Sequence, residues 1–556
     1  MNAPMNQQLA ANVTARELAF EPPRTVRDLI EMQAKVFDAK PFLLTTGDGV
    51  AESAGMRGTE TPTLTFASVR DDCRALAQRF AEAGLQSGDI VSVCMGNGPQ
   101  TARIILAAMY SGLIVNPINL LCQPAQLQYI VEHSDTRLVF VSDTMLPALS
   151  QAIDAARVQG MTRPVGVACT SPEAMALPNI PRLGEATAPQ PSQPPQPPMS
   201  DVALLMYTSG TTGVPKGVLL THRNLLANAA FISAEHCLTS DDRVLASLPL
   251  YHINGLVVTL FTPLFHGGSV VMAPRFSAST FWRDVTATQC SWINVVPTIV
   301  AYLLDGEVPE RSALSALRFC RSASAALPGD HHRAFEARFG IGIIETMGMT
   351  ETAAPVFSNP IDAGRRRVGS IGLPSGGQAK VVRRDGTQTE VGETGELVLL
   401  GAQVMRGYYK RPDETAAAFT PDGWLRTGDL GYCDGDGYFY ITGRAKELII
   451  KGGENIAPRE IDEALLRHPG VLDAAAVGVP DAAYGQEIVA FVVVRERGSG
   501  SDGTDSPHFI PPDADALREH CLKTLGRYKT PKEFRFVTDL PRGPSGKVQR
   551  LKLLQS

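Results

Sequence analysis

Between residues 66 and 141 the chain alternates between helix-spaced and strand-like apolar patterns, and this alternation limits the possible folds more than any other feature. "FASVRDDCRALAQRFAEAGL" (66–85) carries apolar side chains at helical spacing and stops at Gly84, and "DIVSVCM" (89–95) follows as a strand. "PAQLQYIVEHSD" and then "RLVFVSD" repeat the pair. Strands separated by helices return to the same edge of a sheet and pair in parallel, so the predicted class is α/β. The longest apolar run, "RIILAAMYSGLIVNPINLL" (103–121), is interrupted by Arg103, Gly112, Asn116 and Pro117. It reads as a buried helix ending near Gly112 followed by a short strand, with no membrane span.

A chain of 556 residues exceeds what one core supports. Residues 1–24 read as a flexible tail, and 25–445 as a large domain of two α/β subdomains plus a small β-rich subdomain. That subdomain begins near Ala379, where the pattern turns to short β segments: "AKVVRRDG", "GELVLLG" and "DGYFYITG". The proline-rich stretch at 188–200 is an extended spacer. Residues 446–556 form a separate α+β domain interrupted by a polar loop at 497–512. The net charge of −6 offers no basic footprint for nucleic acid. Nine scattered Cys without CxxC pairs, and no secretory signal, point to reduced thiols and a cytoplasmic location.

Chemistry gathers in a few polar stretches that a core would not select. "YTSGTTGVPKGV" (207–218) lies between a strand-like run and a helix-like one, and is rich in Gly, hydroxyls and one Lys. Gly lets backbone N–H groups approach phosphate oxygens, hydroxyls add donors and Lys216 adds charge; the alternative is a plain surface loop. The spacing around Lys216 fails the P-loop pattern. In "ETMGMTET" (345–352) Glu351 suits Mg²⁺ on a polyphosphate, or Thr350 and Glu351 form a helix cap. Asp429 in "GWLRTGDLG" fits a ribose diol or an ordinary turn. Lys547 in "PRGPSGKVQR" would alone read as part of a solvated basic tail.

Taken together and in this order, "YTSGTTGVPKG", "GMTET", "GWLRTGDLG", "GRAKELIIKGGENIAPREID" and "PSGKVQR" resemble the acyl-adenylate-forming superfamily over roughly residues 25–556. That superfamily includes acyl-CoA synthetases, adenylation domains and beetle luciferases. The resemblance implies that Thr208, Ser209, Gly210, Thr211, Thr212 and Lys216 grip the phosphates of ATP. It implies that Thr350 and Glu351 meet the α-phosphate and Mg²⁺, that Asp429 takes the ribose diol, and that Arg444 helps hold the nucleotide. Ser324 and Ala325 in "SASAALP", with Met347 and Gly348, would line the adenine; Met347 stands where the family often has an aromatic residue. Lys547 would bridge the acid's carboxylate and the α-phosphate. His252 would wall the acid pocket, or else is simply a packed histidine. The C-terminal domain would be a mobile lid hinged at Lys446, with Gly452, Gly453 and Glu454 meeting CoA.

The implied reaction is AMP-forming acid–CoA ligation, with a small carboxylic acid, ATP and CoA as substrates. Loading of a carrier protein, an oxygenase of the luciferase type and a non-catalytic nucleotide-binding protein are the alternatives. No carrier domain follows Ser556, which favours free CoA. The wording "CRSASAAL" resembles the branch that includes oxalyl-CoA and carnitine/crotonobetaine-CoA synthetases, which suggests a small acid with a second anionic group (an oxalate, malonate or sulfoacetate type). Arg365, Arg366 and Arg367 are candidates to meet that anion, or form a solvated loop face. "NVVPTIVAYLL" (294–304), an apolar candidate for the pocket wall, would equally suit a medium-chain or aryl acid.

Overall fold

The structure, a computed structural model, describes residues 23–46, 63–183, 197, 201–208, 214–495, 511–542 and 548–554. The predicted tail, most of the proline-rich spacer and most of the 497–512 loop lie outside those residues, so the readings made for them do too.

Two large sheets face each other across shared helices. One has seven strands in the order Gly407–Tyr408, Lys216–Thr221, Val202–Thr208, Ile114–Pro117, Ile90–Cys94, Thr136–Val141, Gly166–Cys169. Its last five strands run parallel, as the helix–strand alternation requires. The other has nine strands, with a parallel centre formed by Arg243–Ala246, Ser269–Met272, Trp292–Val295, Phe319–Ser322 and Ile343–Met349. A single hydrophobic cluster joins the two, taking Leu204 and Met206 from the first sheet and Trp292, Phe319 and Ile344 from the second.

The helix Pro99–Tyr110 lies inside this cluster with every residue buried. A helix buried on all sides belongs in the middle of a protein, which explains the length of its apolar run. Among the described residues no helix is long and apolar enough to cross a membrane.

Beyond the large sheets, Gln378–Val382, Gly395–Leu400, Leu425–Cys433 and Phe439–Arg444 form a four-stranded antiparallel sheet, the β-rich subdomain expected from Ala379 onward. The next strand, Ile449–Lys451, belongs to a different sheet, where it pairs with Glu454–Ile456 and Gly485–Val494. The chain thus changes sheets between Arg444 and Ile449. The helix Pro458–Leu466 covers this last sheet, whose core includes Ile449, Ile461, Val492 and Leu517.

Candidate active site

The glycine- and hydroxyl-rich loop does not run from a strand into a helix. A second strand, Lys216–Thr221, follows it and pairs antiparallel with Val202–Thr208, with Thr208 opposite Lys216 as the last pair. The helix His222–Glu235 starts only after that strand, capped by Thr221 and Asn224. The loop is therefore a hairpin tip, and no helix dipole stands behind it. Thr208 and Lys216 flank the tip; Ser209, Gly210, Thr211 and Thr212 lie outside the described residues.

Lys216 is already engaged. Its ammonium pairs with the Glu414 carboxylate and stands 4.9 Å from the centre of the Tyr408 ring. The hydrogen bond from Lys216 holds Glu414 below the ordinary carboxylate range, and Arg411 adds a second pairing at 2.6 Å. Tyr408 pairs with Val218 across the strands and donates its hydroxyl to Glu351 at 2.9 Å. Burial first, and then the Glu351 charge, raises the Tyr408 pKa, so the phenol stays a neutral donor. Through Tyr408 the expected phosphate lysine and the expected metal carboxylate share one network.

Glu351 and Thr350 occupy a 3-10 turn that ends the strand Ile343–Met349. The chain reverses so tightly that a Cβ on Gly348 would fall 2.0 Å from the Ala354 carbonyl oxygen, which only glycine avoids. Ala353 and Ala354 take φ of 55° and 109° to complete the reversal, a strained backbone of the kind that collects at working sites. Met347 is half-buried against the core. Among the described residues no group of three or more His, Cys, Asp and Glu gathers to hold a metal. Glu351, 9% exposed and oriented by the Tyr408 hydroxyl, offers one hard oxygen of the kind that would suit Mg²⁺, which otherwise keeps water and phosphate ligands.

Asp429 and Arg444 stand directly opposite on adjacent antiparallel strands and pair at 2.8 Å. Asp429 is 4% exposed and its backbone N–H donates to the Thr427 hydroxyl, so its position is set on both sides. Two residues expected on the nucleotide are therefore in direct contact.

His252 sits partly buried in the turn before an eight-residue π-helix, Asn254–Phe261, with its ring 4.9 Å from that of Tyr251. Asn254 opens that helix and donates to the Ser324 hydroxyl at 3.2 Å. Ser324 has a φ of 75°, and Ala325 beside it is exposed just past the strand Phe319–Ser322. Arg321 on that strand, 1% exposed, donates to Asn254 Oδ1 at 2.9 Å and Asn294 Oδ1 at 2.6 Å. Arg321, Asn254, Asn294, Tyr408 and Glu414 escaped the sequence reading. The one signal for the first was a charged residue inside an apolar strand. The 294–304 wall is likewise less apolar than expected, since it begins with Asn294.

The arginine triplet belongs elsewhere. Arg366 is tied to Glu336 at 2.9 Å and to the Ile343 carbonyl, Arg367 pairs with Asp434 and Asp436 and stacks on Tyr438, and Arg365 is exposed. Arg366 and Arg367 hold the loop to its neighbours, so the candidates offered for a second anion are withdrawn.

Lys446 is exposed in the turn where the chain changes sheets. Its neighbour Glu447 accepts from Arg550 at 3.2 Å, which ties the segment after Lys547 to this turn; Lys547 itself lies outside the described residues. Gly452, Gly453 and Glu454 form an exposed hairpin tip, with φ of 55° and 87° at the two glycines.

Residues 33–409 match the model of the AMP-binding enzyme family, and 460–547 that of the AMP-binding enzyme C-terminal domain. A sulfoacetate–CoA ligase of Cupriavidus necator is 62% identical over 95% of this chain and 97% of that protein. An oxalate–CoA ligase of Arabidopsis thaliana is 34% identical over 88% and 92%. Among solved structures, ATP-bound MatB from Rhodopseudomonas palustris superposes with a TM-score of 0.80 at 29% identity, over 95% of this chain and 98% of that one.

Proposed function

Because this chain belongs to the AMP-binding enzyme family, we propose that it joins sulfoacetate, or a similarly small dianionic acid, to CoA through an acyl-adenylate. The ligase class is that of the family. The choice of acid rests on the 62% identity, across nearly the whole chain, to a sulfoacetate–CoA ligase.

In the first half-reaction an acid carboxylate oxygen attacks the α-phosphorus of ATP, the bond to the bridging oxygen breaks, and pyrophosphate leaves. Anion meets anion here, so the chain's task is to place positive charge and donors around the phosphates. Lys216 is preset for this: Glu414 and Tyr408 hold its ammonium at the mouth of the hairpin tip until phosphate oxygens offer stronger partners. Asp429, fixed by Arg444, accepts from the ribose hydroxyls and sets the distance of the α-phosphate from the hairpin tip. Ser324 and Met347 border the base. Glu351 would hold Mg²⁺, which when bound withdraws charge from the phosphate oxygens. Lys547 approaches from the C-terminal domain to bridge carboxylate and α-phosphate. In the second half-reaction the CoA thiolate attacks the acyl carbon and AMP leaves, with the C-terminal domain turned about Lys446 to admit the thiol. The nine free Cys suit the reducing cytoplasm, where both co-substrates are at hand.

Thioester formation with a panel of acids tests this assignment. Sulfoacetate, malonate and oxalate are compared with hexanoate and benzoate. The best dianion should exceed hexanoate and benzoate in kcat/KM by about tenfold or more, the scale of one charged hydrogen bond. Preference for hexanoate or benzoate over every dianion would refute the choice of acid.

A further inference from the structure

Arg321 is a buried charge for which the reaction outlined above has no use, and among the described residues no carboxylate pairs with it. It lies on the strand Phe319–Ser322 near the C-terminal ends of three parallel strands, where open α/β sheets bind their ligands. Its side chain shares a sheet face with Asn294 and is covered by the π-helix that carries Asn254. Both asparagines take the same nitrogen, Nη1. The opposite edge of the guanidinium, Nε with Nη2, makes no hydrogen bond among the described residues, and Nε is fully buried. Burial pulls the guanidinium down to about 9, still charged at neutral pH. The nearby His236 ring, driven down to about 3 by burial and then by the Arg321 charge, stays neutral.

A cation taken from water with no counter-charge is costly, and proteins seldom leave one so. The unbonded edge has the fork geometry that binds two oxygens of a carboxylate or sulfonate side by side. Its surroundings connect to the site already described. Asn254 bonds Arg321 on one side and Ser324 on the other, and His252 stands two residues before it. A π-helix is itself a rare conformation, found frequently at functional sites.

We propose that Arg321, oriented by Asn254 and Asn294, binds the second anion of the acid and selects dianionic over neutral substrates. This deepens the reading of the chain as a ligase for small dianionic acids and rests on it. The acid's own charge completes the buried guanidinium, and a neutral acid of equal size leaves that cation uncompensated.

The test compares sulfoacetate with 3,3-dimethylbutanoate, in which a tert-butyl group replaces the sulfonate at nearly the same size. In Arg321→Met, kcat/KM for sulfoacetate should fall by about tenfold to a hundredfold, while that for 3,3-dimethylbutanoate holds or rises. Asn294→Asp preserves the side-chain size and places a carboxylate against Arg321, so it should raise KM for sulfoacetate and spare the neutral acid. This second variant serves if the first does not fold. Equal proportional losses for both acids would make Arg321 a structural pin for the π-helix and overturn the proposal, as would an unchanged preference for sulfoacetate. A parent enzyme that prefers 3,3-dimethylbutanoate would refute the choice of acid itself, a result distinct from failure of the Arg321 assignment.

Discussion

Glu345 is next to Arg321's partner position on the adjoining strand but points to the other face of the sheet, and it too is a charged residue type buried with little to satisfy it. One carboxyl oxygen accepts from the Leu327 N–H at 3.3 Å, and the other has no partner among the described residues. Burial, the largest influence, pushes its pKa from 4.5 to about 7. Between those values the folded protein keeps a proton that the unfolded chain has released. The folded state's advantage therefore declines as pH rises through that window and is lost above about 7. Glu345→Gln should raise stability at pH 8 by roughly 2–4 kcal/mol and change it little at pH 5, read by urea unfolding at both pH values. Equal effects at the two pH values would mean that the carboxyl does not titrate in this window. At this scale Glu351, Asp429 and Lys216 were legible as candidates, each in a Gly-containing motif with its own chemistry. Arg321 was not, because its partners Asn254 and Asn294 are 67 and 27 residues away and meet it only in the folded chain.

Among the elements, periodicity read well and strand pairing did not. The helices Phe66–Glu82, Pro99–Tyr110 and Pro124–His133 follow their apolar spacing within a few residues. The strand Lys216–Thr221 was missed because Lys216 and Gly217 look like loop and Thr221 like a helix cap; only pairing with Val202–Thr208 makes the segment a strand. The turn between Arg444 and Ile449 was expected as a hinge only from the family resemblance, which placed it at Lys446. It is the place where the chain leaves one sheet for another, and Lys446 lies in it, exposed. Lys446→Pro fixes φ and removes an N–H at this turn. Acid-dependent pyrophosphate exchange should stay near the parent rate while acyl-CoA formation falls tenfold or more, roughly the cost of one blocked gating step. Acyl-CoA formation at the parent rate would move the pivot elsewhere.

For the molecule as a whole, the two large sheets serve to bring separate loops to one place. The hairpin tip after Thr208 comes from one sheet, and the ends of Phe319–Ser322 and Ile343–Met349 come from the other. The antiparallel subdomain carries Asp429 and Arg444 as a facing pair. Such an arrangement suits a reaction in which nucleotide, acid and thiol must be handled in turn, and its defining event is attack of the acid on the α-phosphorus of ATP. Sulfoacetate labelled with ¹⁸O in its carboxylate, turned over with ATP and CoA, reports that event directly. The label should enter the phosphate of AMP, one oxygen for each thioester formed, because the attacking oxygen stays on phosphorus when the thiol displaces AMP. Label in pyrophosphate or inorganic phosphate, or none in AMP, would contradict the adenylate route.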